Sequence, residues 1–349
     1  MTINYNDTRI LLEALEQSFP PSTLLRDTFF PNSVTAMSTL IDIEYKKGGR
    51  ALAPFISKGT SGVNVARTGS TVKSYEPPMM APKRPVTVEN IVSRGFGEPV
   101  FSNRTPQQRA QELIARDIGE LREMNTRTME WMCAQLMILG EFTVKGYSDD
   151  GKTFTADTVT LDWSQHDTLT GGDTWNNAGA DIYGDMKTVS QTISRSAGKI
   201  PTVAICSWKT ADYLLANTVL RALLLLPSDQ AKLLTIAPKI ISNEVIRVAY
   251  VESLNLDIYS FDGIYVDEAG AVQQYIPDDY FVMGVPGRGR QMFGAITQLE
   301  QDGVFRTYPG ANVPKIWSET GKDIQEIRVA SKGMPVPEFI DDWYTLKVK

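Results

Sequence analysis

Residues 105 to 140 read TPQQRAQELIARDIGELREMNTRTMEWMCAQLMILG, and this stretch decides the fold. Thr105 can cap a helix, and Pro106 suits the first helical position. No proline interrupts the pattern before Gly140. Non-charged residues recur three or four positions apart, as on one helix face: Ile114, Ile118, Leu121, Met124, Thr128, Met132, Leu136 and Leu139. At 1.5 Å per residue this predicts one helix roughly 50 Å long, a strut across an elongated subunit.

The segment before this helix has the pattern of a long hairpin. LIDIEY at 40–45 and TVKSY at 71–75 read as strands, and residues 57–71 between them are rich in Gly, Ser and Thr. Such a two-stranded ribbon has little core of its own, so we expect its order to come from contacts outside it.

Basic and apolar side chains of this hairpin are the predicted subunit-interface residues: Arg50, Leu52, Phe55, Lys58, Val63, Val65 and Arg67. The apolar members could bury surface against a neighbouring subunit at roughly 25 cal/mol per Å². The basic members could meet acidic groups there, although a solvated loop explains them equally well.

Alternating helix and strand patterns follow the long helix and indicate an α+β protein. Residues 182–193 and 208–216 are predicted helices, and PTVAICS at 201–207 is a predicted buried strand. Residues 256–270 read as a hairpin with turns at 262–263 and 268–270. IQEIRVAS at 324–331 and WYTLKVK at 343–349 are predicted strands that return to pair with the strands beside the long helix.

Composition and charge narrow the class of protein. The 349 residues are 42% hydrophobic, enough for about two globular domains. The formal net charge is −6, whereas a protein that recognises a nucleic-acid sequence usually carries a basic surface. Any contact of this chain with nucleic acid must therefore be local. Neither a signal peptide nor a membrane span is predicted. Cys133 and Cys206 are expected to be buried free thiols.

Motifs for catalysis, metal or nucleotide binding are nearly absent from the sequence. His166 is the only histidine, and its polar surroundings favour a solvated loop over a catalytic triad. One histidine and two separated cysteines cannot supply a typical zinc site, and phosphate-binding glycine motifs do not occur. The acid pairs at 149–150, 278–279 and 341–342 suit turns better than catalysis. We therefore expect no enzyme and no cofactor.

Four blocks around the hairpin and long helix resemble the phage lambda major capsid protein E family: ALAPF at 51–55, YEPPMMAPKRPVT at 75–87, TPQQR at 105–109 and MEWMCAQLMILG at 129–140. Later blocks continue the resemblance in the same order: YVDEAG at 265–270, YIPDDYFVMGVPG at 275–287, MFGAI at 292–296 and VPKIWSE at 313–319. The ordered series carries the resemblance from about residue 25 to the C-terminus.

The resemblance implies the Hong Kong 97-type capsid fold, an α+β architecture with an N-terminal arm, an extended loop hairpin, a long spine helix, a peripheral domain and an axial domain. The implied boundaries are 1–38 for the arm, 39–85 for the loop, 86–165 for the peripheral domain with its spine helix at about 105–140, 166–300 for the axial domain, and 301–349 for a C-terminal return to the peripheral domain.

The implied function is that of a major capsid protein, which self-assembles as hexamers and pentamers into an icosahedral shell. Expected partners are a scaffold protein, a portal, an optional decoration protein and packaged double-stranded DNA held by non-specific contact. Assembly is expected in the host bacterial cytoplasm, and the mature location is the virion capsid. Because about forty residues precede the loop, a separate scaffold protein is expected rather than a cleaved leading segment.

Two alternatives stay open. A protein-shell nanocompartment of the same fold would enclose enzymes instead of DNA. A soluble α+β enzyme with an unrecognised site would depend on His166. Covalent crosslinking is not predicted, because nothing selects one of Lys46, Lys47 and Lys58.

Overall fold

The computed structural model describes residues 23–38, 41–45, 64, 71–92, 105–148, 153–224, 235–242, 244–300, 302–318, 321 and 324–349. Its α-helices are α1 (Leu24–Phe29), α2 (Val88–Val92), α3 (Pro106–Leu139), α4 (Ile182–Ala197), α5 (Trp208–Ala216) and α6 (Thr218–Leu224).

The strands before α4 are β1 (Asn32–Thr35), β2 (Ile41–Tyr45), β3 (Thr71–Tyr75), β4 (Met79–Met80), β5 (Lys83–Thr87), β6 (Glu141–Tyr147), β7 (Phe154–Thr160) and β8 (His166–Thr168). The strands between α4 and Gly284 are β9 (Val203–Cys206), β10 (Thr235–Ser242), β11 (Val245–Val251), β12 (Leu256–Phe261), β13 (Ile264–Val266), β14 (Val272–Gln274) and β15 (Tyr280–Gly284). The last strands are β16 (Gly289–Phe293), β17 (Ile296–Leu299), β18 (Phe305–Tyr308), β19 (Val313–Ser318), β20 (Ile324–Pro337) and β21 (Trp343–Lys347).

The long predicted helix is confirmed as α3, and local chemistry sets both of its ends. Thr105 Oγ1 accepts the N–H of Gln108, whose side chain accepts the N–H of Thr105, forming a capping box. Gly140 ends the helix in the left-handed conformation at φ 74°. A Cβ there would lie 2.8 Å from Cε3 of Trp163, so both the backbone conformation and the lack of space favour glycine.

The buried face of α3 differs from the predicted one. Met124 and Leu139, expected in the apolar stripe, are 46% and 57% exposed. Polar Asn125 and Glu130 are buried instead, because groups packed on this face provide their hydrogen bonds. Thr126 is also buried, and it donates to the Arg122 backbone oxygen of the same helix. Spacing alone therefore located the helix but misplaced part of its buried face.

A six-stranded sheet centres on the long strand β20. Its order is β1-β16-β20-β19, with β4 and β5 pairing other positions along β20. Helix α3 packs across this sheet, where Ile118 and Leu121 join Val86, Ile327 and Val329 in a buried cluster. The predicted strand at 324–331 is thus confirmed beside the long helix, and it continues to Pro337.

A seven-stranded sheet forms the second core, in the order β10-β11-β12-β9-β15-β21-β8. Helices α4 and α5 contribute to its buried cluster through residues such as Ile193 and Ala211, packed with Ile258 and Phe281 of the sheet. The predicted helices at 182–193 and 208–216 and the predicted strand within 201–207 are confirmed.

Two predicted pairings are wrong. The final strand β21 does not join the six-stranded sheet that α3 crosses: it pairs with β15 and β8 in the seven-stranded sheet. It still contacts the end of α3, where Thr345 Oγ1 donates to the backbone oxygen of Met137 at 2.6 Å. The 3₁₀ turn Ile340–Asp342 separates β20 from β21 and lets them join different sheets. Residues 256–270 do not form one hairpin, since β12 pairs with β11 and β9 while β13 pairs with β14.

Four two-stranded ribbons complete the described structure: β2–β3, β6–β7, β13–β14 and β17–β18. Ribbons of two strands are marginal in water unless another element covers one face. The β6–β7 ribbon is covered in this way, since Phe142 and Val159 are buried in the core. The β13–β14 and β17–β18 ribbons leave apolar side chains such as Val266 and Phe305 exposed, and so suit contact with other molecules.

Candidate assembly surface

The extended loop is described almost only at its base. β2 and β3 pair antiparallel, from Ile41 opposite Tyr75 to Tyr45 opposite Thr71, which confirms both predicted strands. The predicted interface residues Arg50, Leu52, Phe55, Lys58, Val63, Val65 and Arg67 lie outside the described residues. Their role in subunit contacts stays a prediction.

Polar contacts tie the base of this loop to the rest of the chain. The Tyr75 hydroxyl donates to the backbone oxygen of Thr160 at 2.7 Å. Just beyond, Lys332 Nζ donates to Glu76 Oε1 at 2.7 Å, and this hydrogen bond lowers the pKa of Glu76. The Glu76 side chain is 65% exposed, so this ion pair positions the chain more than it stabilises it.

A second anchor lies on strand β5, which follows the loop. Arg84 Nη1 lies 2.7 Å from Asp117 Oδ1 and 2.6 Å from Glu120 Oε2, both on α3. Hydrogen bonds to these two carboxylates raise the pKa of Arg84. The chain that leaves the loop is therefore fixed to the long helix.

A groove of about 720 Å³ lies between α3, β6 and the β13–β14 ribbon. Its apolar lining includes Met124, Trp131, Ile264 and Val266. Ile264 is 53% exposed and Val266 is 67% exposed, although both sit in regular strands. Apolar side chains left this open mark a surface suited to protein contact.

Charged side chains bridge one side of the groove. Lys145 Nζ lies 2.9 Å from Glu268 Oε2, and the Tyr147 hydroxyl donates to the same oxygen. These two contacts lower the pKa of Glu268. Hydrogen bonds from the Ala271 N–H and other groups lower the pKa of Asp267, so both carboxyls are ionised at neutral pH.

Sequence reasoning missed this groove because it paired the wrong strands. The predicted turn at 268–270 is present, and there the Asp267 side chain accepts the N–H groups of Ala269 and Ala271. That turn joins β13 to β14, which places Val266 opposite Val272 on an exposed ribbon. The sequence did contain a signal for the two strands of this ribbon, namely the β-branched residues Ile264 and Val266 of β13 and Val272 of β14.

The β17–β18 ribbon carries a second exposed apolar patch. Phe305 is 72% exposed and pairs with Leu299, which is 43% exposed; Val304 beside them is 50% exposed. An ion pair of Arg306 with Asp302, at 2.7 Å, lies next to the turn. This patch offers a further surface for contact between subunits.

A buried carboxylate holds the short helix α1 against α3. Glu130 is fully buried, and its two oxygens accept the N–H groups of Leu25 at 2.8 Å and Arg26 at 2.9 Å. Thr23 makes no capping bond at the start of α1, so Glu130 caps that helix from a distant part of the chain. Burial raises the pKa of Glu130 to about 7, and the two N–H bonds oppose the rise.

The histidine and the two cysteines, which were considered for catalysis or metal binding, lie on different elements. His166 is exposed on strand β8, with its ring 5.3 Å from that of Trp163. Cys133 and Cys206 are buried free thiols, as predicted, and burial raises both pKa values. Within the described part of the chain no cluster of His, Cys, Asp and Glu has the arrangement of a metal site.

The acidic pairs do not converge either. Asp279 takes φ 68° and accepts a hydrogen bond from the Tyr213 hydroxyl at 3.1 Å. Asp342 is buried, with Arg288 Nε 3.1 Å from its Oδ2 atom. Burial raises the pKa of Asp342 to about 7. The pair at 149–150 lies outside the described residues.

Among the helices that the structure describes, none combines the length and apolar character required to cross a bilayer.

Comparisons with known proteins point to one kind of protein. A family model described as phage major capsid protein E matches residues 7–348. A crystal structure from E. coli CFT073, of a protein assigned as a prophage capsid protein, superposes with TM-score 0.72 at 18% identity, covering 100% of both chains. A phage-related protein from Bordetella bronchiseptica RB50 superposes with TM-score 0.55 at 13% identity, covering 99% of this chain and 98% of the other. No curated protein matches the sequence significantly.

Proposed function

From the premise that this chain belongs to the phage major capsid protein E family, we propose that it assembles as hexamers and pentamers into an icosahedral shell around double-stranded DNA. Family membership makes the chain a shell-forming capsid subunit of the virion, with a structural role. The match across residues 7–348 is the observation that carries this function. The Hong Kong 97-type fold, which the structural likeness shows, agrees with it.

The exposed ribbons support assembly as the purpose of this fold. Soluble monomers rarely expose large apolar patches, and closed symmetric assembly is a usual way to cover them. Here Ile264, Val266 and Val272 on one ribbon and Phe305 on another are all more than half exposed. Contacts between copies would remove these side chains from water.

The groove beside α3 is the proposed receiving site for the extended loop of a neighbouring copy. The loop carries apolar Leu52, Phe55, Val63 and Val65 together with basic Arg50 and Arg67. The groove carries exposed apolar strands, and its carboxyls of Asp267 and Glu268 are matched by the basic groups of Arg127 and Lys145. Apolar burial would then supply most of the affinity.

The remaining proposed partners are a scaffold protein, a portal, an optional decoration protein and the packaged DNA. The proposed site of assembly is the host bacterial cytoplasm. With a net charge of −6, the subunit would contact DNA only through local patches, without reading its sequence. The arm at 1–38, loop at 39–85, peripheral domain at 86–165, axial domain at 166–300 and C-terminal return at 301–349 are retained as a proposed division.

Nucleic-acid content tests the proposed cargo. Particles purified from phage-producing cells should protect double-stranded DNA from added nuclease, because a closed shell excludes the enzyme. Particles that hold only enzyme cargo would support the nanocompartment instead.

The proposed groove contact can be tested with Val266→Asp. This side chain is already 67% exposed, so the substitution should leave folding and the thermal midpoint nearly unchanged. It should prevent shells in electron micrographs, because it puts an uncompensated charge into an apolar contact.

Gln191→Glu is the matched control, since it adds one negative charge at an exposed position of α4, away from the groove. Shells should form normally with this variant. Normal shells with Val266→Asp would rule out the groove as an essential contact.

A further inference from the structure

Two short connections join the seven-stranded sheet directly to the six-stranded sheet. Residues 285–288 link β15 to β16, and residues 338–342 link β20 to β21. The Val285 N–H donates to the Asp342 backbone oxygen at 2.9 Å, so the two connections lie side by side. We call this pair of connections the neck.

The end of α1 is inserted at the neck. The Phe29 ring lies against Gly284, the last residue of β15, where an added Cβ would be 2.7 Å from Phe29 Cε1. The Phe30 ring lies against Gly289, the first residue of β16, where an added Cβ would overlap Phe30 Cδ1. Two adjacent aromatic residues of the arm therefore contact one sheet each, and only glycine leaves room for them.

Hydrogen bonds hold this end of the arm in place. The Gly287 N–H in the neck donates to the Thr28 backbone oxygen at 2.8 Å. Gln291 Nε2 donates to the Phe30 backbone oxygen, also at 2.8 Å. At the other end of α1, the buried carboxyl of Glu130 accepts two N–H groups of the helix. The arm is thus tied both to the neck and to α3.

The packing around the two rings leaves little free space. Phe29 is 4% exposed and Phe30 is 2% exposed. The Arg288 guanidinium lies over the Phe339 ring, 4.2 Å from its centroid, and Arg288 Nε lies 3.1 Å from Asp342 Oδ2. The cavity that remains is about 10 Å³, no more than one water molecule requires. Any change in the angle between the two sheets would force these close-packed rings to move.

We propose that Phe29 and Phe30 form a wedge that sets the angle between the two sheets of the subunit. The neck alone could bend, whereas close-packed aromatic rings on both sides of it resist bending.

The role of this wedge in assembly rests on the proposed function. The β13–β14 ribbon follows β12 of the seven-stranded sheet, and the β17–β18 ribbon contacts β20 of the six-stranded sheet. The angle between the sheets therefore sets the relative positions of two surfaces that are suited to contact neighbouring copies. A fixed angle gives every copy the same shape before it joins a shell.

Distances between spin labels on the two sides of the neck test the wedge. The labels are attached to cysteines introduced at Ala115 of α3 and Gln191 of α4, both of which are exposed. Cys133 and Cys206 are buried and should not react with the label. The labelled chain is diluted with unlabelled chain, so that only distances within one copy contribute. We expect a single narrow distribution of distances for the wild-type chain.

Phe29→Leu and Phe30→Leu should each broaden this distribution, because a smaller side chain leaves space at the neck. Hydrogen exchange should become about fivefold faster or more in peptides that contain Val285 and Glu338, the usual size of effect for one core substitution. Phe142→Leu is the matched control. It removes a ring that is 2% exposed on the β6–β7 ribbon, outside both sheets, and should leave the distribution narrow.

Gly284→Ala makes the opposite change and keeps the test decisive if a phenylalanine variant folds poorly. Its methyl group should displace the Phe29 ring and shift the distance between the labels. Adding Phe29→Leu should restore the wild-type distance, because leucine lacks the ring atom that the methyl group meets.

A wild-type distribution in Phe29→Leu, Phe30→Leu and Gly284→Ala would overturn the proposal. The distances are measured whether or not shells appear, so failure of the wild-type chain to form shells would overturn the proposed function alone. Where shells form, those of Phe29→Leu should vary in diameter, and uniform shells would overturn the role of the wedge in assembly.

Discussion

Glu130 gives the arm a contact whose strength depends on pH. Its pKa is raised by burial from 4.5 to about 7 in the folded chain. The charged groups around it are Arg26 and Asp27 of α1, and the neutral titratable groups are Cys133 on α3 and Tyr275 near β14. Between these two pKa values the folded chain binds more protons than the unfolded chain. The stabilisation linked to protonation is therefore complete below about pH 4.5 and is lost as pH rises through about 7.

We expect Glu130→Gln to flatten the pH dependence of the free energy of unfolding. In the wild-type chain this free energy should fall between about pH 5 and 7, because Glu130 is ionised in the unfolded chain but keeps its proton in the folded chain. The variant lacks this titration and should lose about 1–3 kcal/mol at pH 5, since the amide NH₂ cannot accept an N–H as the hydroxyl oxygen of the protonated carboxyl can. Urea unfolding across this pH range measures both effects.

Asp342 titrates in the same direction, because burial also raises its pKa to about 7. Asp342→Asn measured alongside separates the two contributions. An unchanged slope in Glu130→Gln would show that the carboxyl does not titrate in this window.

Single residues were predictable where the signal was local. Thr105, Pro106 and Gly140 set the ends of α3 through capping and a positive φ, both of which depend on immediate neighbours. Glu130 was missed, although an acidic residue inside the apolar stretch MEWMCAQLMIL is unusual. Glu130 accepts the N–H of Leu25 in α1, which lies 105 residues earlier in the sequence. The spacing of residues within one helix cannot predict a contact with so distant a segment.

At the scale of elements, most helices and strands were predictable but several of their partners were not. The pattern of WYTLKVK predicts a strand, and β21 is that strand. Which sheet it joins depends on the turn Ile340–Asp342 and on the free edge of β15. Periodicity describes which faces of a strand are apolar, whereas pairing depends on the whole core.

The extended loop should serve assembly and contribute little to the stability of one subunit. Its base strands end at Tyr45 and begin again at Thr71, so residues 47–70 can be replaced by a short Gly-Ser linker without cutting either strand. We expect a folded subunit with nearly the same melting temperature, and no shells in electron micrographs.

Phe55→Asp should likewise prevent shells, because it removes an apolar contact. Thr60→Asp adds the same charge within the loop without that loss, and shells should persist. Unfolding of the linker variant, or intact shells formed by it, would show that the loop is not an assembly element.

The described part of the molecule contains three large buried clusters, with ribbons that extend from them. One cluster lies between α3 and the six-stranded sheet, and another lies between the seven-stranded sheet and its helices. The largest joins α1 and the C-terminal half of α3 to both sheets. Exposed apolar residues lie on the ribbons, as at Val266, Val272 and Phe305, and also elsewhere, as at Met37, Ile200 and Ile240. Exposed apolar side chains of this kind suit a subunit that contacts other copies of itself.

Electron microscopy of the protein, produced together with the scaffold protein of its phage, tests shell formation most directly. We expect closed shells of uniform size with hexamers and pentamers in their surface lattice. Sedimentation of the same preparation should show large particles in place of free subunits. A preparation that contains only monomers or dimers at high concentration, with the scaffold present, would contradict a shell-forming capsid subunit.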